Sequence, residues 1–552
     1  MLELYFSCLL SIFVTTSYGS YLETLIFKKK SREIDISEKG LKGIILLSFL
    51  ALILNFFFSL NKDICTFIFI LGIIIGIKKK IYVNKTYLLS VSIITFILLL
   101  YSNINRPDAG LYHLPITSII NESKIIIGSA NIHFRFGHGS LVQYLSALHN
   151  VHFINISFIT IPLASVFSIF IFYLLKKFMF FFSNKNNFLI LLYFIFFVIS
   201  IYSFNRYSGY GNDVISHIFY IYFYLKLTEY ILEKKFSLDN FINLFLLSAF
   251  LISLKLFMII AVLPIIYFFL KIYDKFNIFR DFRIYLISFF LFSLFLKSLL
   301  TSGCFFYPIN YSCLKFLKIY DETKTLETSQ VSEAWSKGWP DSKRNINFVE
   351  YNKNFNWIKT WSGHHLFFIL EKIIPIIIFF GLIYIYLKIK LLRIDKSSTI
   401  NNFSKNKGII ILFSFSIITT LVWFLKFPLY RFGQSFLISL MALSFLISIQ
   451  KTIEIINLEK IKRFFAFFIL ISILGFTYKN IKRIESNYNT NNLWPVVLTE
   501  NKFQKIKVGD EGYFYFSNGK QCMYGKSPCT YYIPKDLKHQ KIFSYDIYWI
   551  EA

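Results

Sequence analysis

Apolar runs long enough to cross a bilayer recur along almost the whole chain, and no other feature constrains the fold as tightly. Ile44 to Leu60 reads IILLSFLALILNFFFSL, and Tyr87 to Ser102 reads YLLSVSIITFILLLYS. Such runs approach or reach the roughly 17 to 20 residues that a spanning helix needs. Charged residues are only 16% of the 552, whereas soluble domains carry about 25%. The chain reads as an all-α polytopic membrane protein with about 13 to 14 transmembrane helices.

The formal net charge of +28 would suggest nucleic acid in a soluble chain. Here Lys and Arg cluster in short loops between apolar runs, the positive-inside pattern, so the expected partner is the lipid bilayer and not nucleic acid. The richness in Ile, Phe, Asn and Lys also fits an AT-rich genome. The opening MLELYFSCLLSIFVTTSYG lacks a basic leading segment and a convincing cleavage site, so it reads as a retained first helix.

Lys28, Lys29, Lys30, Arg32, Lys39 and Lys42 place the following loop in the cytoplasm and the N-terminus outside. By alternation, basic segments at Lys78, Lys176, Glu233, Lys271, Lys388 and Lys451 also fall inside. Outside fall the segments 106–150, 205–213, 301–364 and 426–434, and the tail from about Lys479. The register requires a helix break near Lys255 within the run Phe241 to Leu270. This divides the chain into N-terminal helices (1–103), a first periplasmic loop carrying the candidate site (104–152), central helices (153–300), a second periplasmic loop (301–364), C-terminal helices (365–478) and a periplasmic cap (479–552). The tail alternates and turns, which predicts a small cap with some β-structure. The expected location is a bacterial inner membrane.

Cysteines give an independent check. Cys8 and Cys65 lie in apolar runs, whereas Cys304, Cys313, Cys522 and Cys529 form two close pairs in segments placed outside. Disulfides in an oxidising compartment are expected, not zinc sites.

The residues suited to chemistry concentrate on that same side. A short helix beginning near Asp108 puts Asp108 and Tyr112 on one face with His113 beside them. Such a carboxylate suits a general base or a divalent cation, the one cofactor left open; the alternative is helix capping. In HFRFGH, an extended backbone would place His133 and Arg135 on one face, with His138 following. Arg135 and Arg431 suit phosphate; for Arg431 the alternative is pairing with an acid such as Asp213. Asp213 is a second acid or a cap, and Lys255 inside an apolar run must face a polar cavity or a carboxylate. Trp335 and Trp339 are a candidate acceptor-sugar platform, or simply interfacial aromatics, and His364 and His365 carry the same ambiguity. No P-loop, dinucleotide fingerprint, HExxH motif or serine hydrolase elbow is present.

The segments DAGLYHLP, GSANIHFRFGHGS, GYGND, TSGCFFYPI, EAWSKGW and LYRFGQSF, in this order, resemble a family of bacterial polytopic membrane proteins of surface-polysaccharide and lipopolysaccharide loci. That family in turn looks like the GT-C superclass of membrane glycosyltransferases. The resemblance implies a polyprenyl-linked sugar donor, a glycan acceptor and Asp108 as the catalytic carboxylate. Here the acidic loop follows the fourth apolar run, whereas in many GT-C enzymes it follows the first helix. The expected activity is transfer of a sugar or oligosaccharide from the lipid-linked donor, with Asp108 as base, His113 assisting, and Arg431 and Arg135 holding the phosphate. An O-antigen or capsule polymerase is the enzyme alternative, and a lipid-linked glycan flippase the non-enzyme one. A flippase should carry charges along mid-membrane helices; apart from Lys255, the polar groups here are expected at the outer ends.

Overall fold

The computed structural model describes residues 1–26, 35–102, 107–204, 210–273, 277–339, 347–391, 407–455, 461–490, 492–499 and 502–551. The basic run Lys28 to Arg32, Arg106, the segment 205–209 of the second outer loop and the segment 340–346 of the long loop lie outside the described residues.

Helices dominate because a segment in hydrocarbon must satisfy its own backbone hydrogen bonds. In chain order the first half holds α1 (Leu2–Ile26), α2 (Ile36–Phe57), α3 (Lys62–Lys78), α4 (Lys85–Leu99), α5 (Leu114–Glu122), α6 (Ser129–Ile132), α7 (Leu141–Ala147), α8 (Ile161–Ser183), α9 (Asn187–Ser203) and α10 (Asp213–Leu232). Then come α11 (Leu238–Leu254), α12 (Val262–Ile272), α13 (Phe282–Ser302), α14 (Glu322–Ser336), α15 (Phe348–Asn352), α16 (Ile358–Trp361), α17 (Phe367–Leu391), α18 (Lys407–Lys426), α19 (Tyr430–Ser448), α20 (Gln450–Ile455) and α21 (Lys462–Asn487). Among the described residues, eight helices are long and apolar enough to cross a membrane, and four shorter apolar ones accompany them. The protein is thus an all-helical polytopic chain with a small C-terminal sheet region.

α1 and α2 approach most closely, through small residues. A Cβ on Gly43 would run into the Thr15 carbonyl, and one on Gly19 into that of Lys39. Small residues let helix backbones touch where no hydrophobic force drives association. The chain breaks at Lys255: α11 ends at Leu254, Lys255 is extended, and a 3₁₀ turn leads into α12.

Contacts sort the connecting segments into two ends. At one, Arg483 donates to the carbonyls of Leu100 and Ile97 at 2.6 Å, Gly128 N–H donates to Leu300, and Trp361 donates to Pro428. At the other, Arg283 donates to the Ile26 carbonyl and pairs with Asp239 at 2.7 Å. That second end carries what the sequence did not reveal. Lys42 contacts Glu23 and lies 3.4 Å from Glu38, Lys226 pairs with Glu38 at 2.8 Å, and Lys177 lies 3.3 Å from Glu229, all buried or nearly so. The expectation that no helix apart from the one broken at Lys255 carries charge along its length is therefore corrected, and Lys39 and Lys42, expected in the cytoplasmic loop, lie in α2. Each of these charges sits within a long helix beside an opposite one, so a hydropathy reading averages them away.

The cap holds a three-stranded sheet, β1 (Gln504–Val508), β2 (Gly512–Phe516) and β3 (Cys529–Thr530), and a hairpin of β4 (Leu537–Ile542) and β5 (Tyr545–Ile550). β1 and β2 are antiparallel, with Gln504 opposite Phe516, and β3 joins β2 in parallel. Cys522–Cys529 and Cys304–Cys313 are both disulfide-bonded, as their spacing suggested.

Candidate functional site

The segment after α4 turns back toward the bundle. Helical backbone begins at Pro107, widens to a π turn over Ala109–His113 and continues as α5. Pro115 has no N–H for a carbonyl one turn back, and the wide turn lies immediately before it. Asp108 makes no side-chain capping bond, so the capping alternative is not what the structure shows. Its carboxylate instead lies 3.4 Å from the Arg431 guanidinium, with both side chains partly exposed.

Arg431 occupies the first turn of α19, where the helix dipole disfavours a cation. The turn is held regardless. Trp423 Nε1 donates to Leu429 O, Trp361 Nε1 to Pro428 O, and Gly433 lies against the Trp423 ring. His217 Nε2 contacts the Arg431 carbonyl at 2.8 Å. An arginine fixed beside a helix N-terminus makes that spot strongly attractive to anions.

Tyr112 links the two halves of the site. Burial and the neighbouring Asp108 carboxylate push its hydroxyl up to about 12. Arg135 lies over the Tyr112 ring, 5.4 Å from its centroid, and over that of Phe134 at 5.0 Å.

His113 is buried, with Nδ1 2.6 Å from Gln143 Nε2. The orientation of Gln143 is set by its Oε1, which accepts the Ser140 N–H at 2.8 Å in the capping box of α7. Its amide therefore donates to His113, whose proton must sit on Nε2, toward Gly211. Burial pushes His113 down to about 3, so it is neutral at ordinary pH. In this arrangement Nδ1 accepts from Gln143 and only the Nε2–H is left to donate, so the ring takes no proton, which narrows the assisting role expected of it.

HFRFGH is not extended. Residues Phe134–His138 form a 3₁₀ turn, because His133 Nδ1 accepts the Arg135 N–H at 3.1 Å and caps it. His133 is buried among Phe134, Phe136, Tyr531 and Tyr532, and His138 stacks edge-on against Tyr307 at 5.0 Å. Burial, with Arg135 nearby, pushes both imidazoles down to about 3.

Asp213 contacts Lys255, not Arg431, so the suggested Arg431–Asp213 pair does not form. Lys255 also lies over the Phe432 ring at 4.3 Å, one residue from Arg431. Asp108, Tyr112, His113, Arg135 and Arg431 thus form one cluster with Lys255 and Asp213 at its edge, and His133 and His138 beyond Arg135.

Trp335 is exposed, and Trp339 meets it edge-on at 6.4 Å and packs against Phe348. Ser336 Oγ reaches the Lys426 carbonyl, tying α14 to the turn that carries Arg431. His365 lies against Gly338. Among the described residues no group of three or more His, Cys, Asp or Glu is placed to hold a metal, and the guanidinium beside Asp108 suits a cation poorly there.

Sequence reasoning missed Gln143, His217 and Lys297. The Ser140-x-x-Gln143 spacing was the signal for the first. Lys297 is buried in α13 and donates to the Gly139 carbonyl at 2.7 Å.

A family model described as "Domain of unknown function (DUF8201)" matches residues 1–438. No curated protein and no solved structure matches the chain.

Proposed function

Because the chain belongs to the DUF8201 family, whose function is undefined, its activity must be read from its own residues; we propose a GT-C-like membrane glycosyltransferase. It transfers a sugar or oligosaccharide from a polyprenyl phosphate or pyrophosphate to a surface glycan, on the periplasmic face of a bacterial inner membrane. The observation that carries this reading is the meeting of Asp108 with Arg431 across 323 residues of sequence at a partly open position, with Arg135 stacked beside them. Asp108 takes the proton of the acceptor hydroxyl as its oxygen bonds to the anomeric carbon. The carbon–oxygen bond to the phosphate breaks, with inversion, and the departing oxygen keeps the electron pair. Arg431 and Arg135 balance that charge as it develops. The exposed Trp335 offers a face for the acceptor sugar.

Asp108→Asn tests the proposal in cells. Glycan transfer should stop while lipid-linked donor still reaches the outer leaflet. Donor trapped on the cytoplasmic side would sink it and favour a flippase, the second reading. That reading draws support from the buried network of Glu23, Lys42, Glu38 and Lys226, since intramembrane charges often mark a transport path.

A further inference from the structure

Not every cation is paired with an acid. Lys42, Lys226, Lys255, Arg283 and Arg431 each have a carboxylate partner. Among the described residues, Arg135 and Lys297 have none. Lys297 is buried within α13, and the one hydrogen bond it makes there goes to a neutral carbonyl, that of Gly139. Leaving an ammonium buried with so little compensation is costly.

His138 is the residue next to that carbonyl. Its Nε2 is buried and makes no hydrogen bond among the described residues, and the same holds for Nε2 of His133. No hydrogen bond fixes the His138 tautomer, so Nε2 can carry the proton and donate. Arg135 and Lys297 both lie close enough to His138 to disfavour its protonation. The region thus collects a guanidinium, an ammonium and a neutral imidazole; Asp108 and Asp321 act on the neighbouring Tyr112 and Tyr307, but among the described residues no carboxylate pairs with Arg135, Lys297 or His138 themselves. A structural ion-pair network has the opposite composition.

We propose that Arg135, His138 and Lys297 form an anion pocket beside the Asp108 cluster, which takes a phosphate or carboxylate group carried by the glycan substrate. The nature of that substrate rests on the transferase reading; the affinity for an anion does not. Lys297 and Arg135 supply charge, and His138 in its Nε2–H tautomer supplies a neutral donor. A pyrophosphate-linked donor would place its second phosphate here, and an acidic sugar would place its carboxylate.

The test is calorimetric titration of the full-length protein in detergent with inorganic phosphate and, separately, with glucuronate. Binding of at least one is expected, weakened about tenfold or more in Lys297→Met and in His138→Gln, the effect of losing one charge-assisted hydrogen bond. Asp108→Asn should still bind, since it leaves Lys297 and His138 in place. Preference for phosphate assigns the pocket to the donor, and preference for glucuronate assigns it to an acidic sugar. No binding of either anion, or unchanged binding in both folded variants, overturns the proposal. Anion binding that survives alongside full transfer by Asp108→Asn would leave the pocket standing and remove Asp108 as the base on which the transferase reading rests.

Discussion

Arg431→Gln separates a surface ion pair from a group that carries chemistry. The Arg431 and Asp108 side chains are 47% and 38% exposed and 3.4 Å apart. A pair so open to solvent contributes about 0.2 to 1 kcal/mol to stability. The rest of the Arg431 environment survives the substitution, because His217 contacts its backbone carbonyl and Trp423 holds the turn before it. The variant should therefore unfold within about 2 °C of the parent in detergent. If the guanidinium balances the charge on a departing phosphate, transfer should instead fall about 100- to 1000-fold, as when one preorganised donor is removed from a developing oxyanion. The assay is transfer from lipid-linked donor in proteoliposomes, with Arg431→Lys beside it; lysine keeps the charge but not the fork and should recover only part of the rate. A rate for Arg431→Gln within about fivefold of the parent, no more than the pair is worth as a surface contact, refutes the reasoning.

Two further predictions rest on burial. Lys226→Met removes the 2.8 Å partner of Glu38 in a buried network, and should cost about 3 kcal/mol, seen as a lower unfolding temperature in detergent while the cap fold stays intact. His113, His133 and His138 lie near 3, below the ordinary 6.5. Between those values the unfolded chain binds more protons, so stability should rise with pH from about 3 to about 6.5 and level off above. His113→Gln should shallow that slope, and a His113 resonance titrating near its ordinary value would contradict the buried, neutral assignment.

The sequence and the structure agree wherever a signal was local. Length and apolarity placed the long helices, close spacing placed both disulfides, and a lysine inside an apolar run marked the break at Lys255. What escaped was relational. Nothing in LYRFGQ says whether Arg431 faces Asp213 or Asp108, because that choice depends on how α19 packs beside the Asp108 turn. The histidines of HFRFGH looked polar and available, yet the cap buries His133 under Tyr531 and Tyr532, which follow it by some 400 residues. The buried charges of α1, α2 and α10 were illegible for a similar reason, since each is tolerable only beside a partner from another helix.

The cap also explains how the acidic turn keeps its shape without a capping bond of its own. The disulfide loop Cys522–Cys529 lies along the turn and α5. Met523 N–H donates to the Gly110 carbonyl at 2.8 Å, Ser118 contacts the Gly525 carbonyl, Tyr524 OH meets Asn121 at 3.1 Å, and Ser527 Oγ meets Glu122 at 2.9 Å. Gly110 leaves room for the Gln521 and Met523 side chains, whose ends a Cβ there would have to displace. A π turn is a poor fixture by itself, having wide hydrogen-bond geometry and few residues. Held from one side by Gln143 through His113 and from the other by a cross-linked loop, it presents Asp108 to Arg431 from two rigid supports, the arrangement a site needs when its reacting groups come from distant parts of the chain.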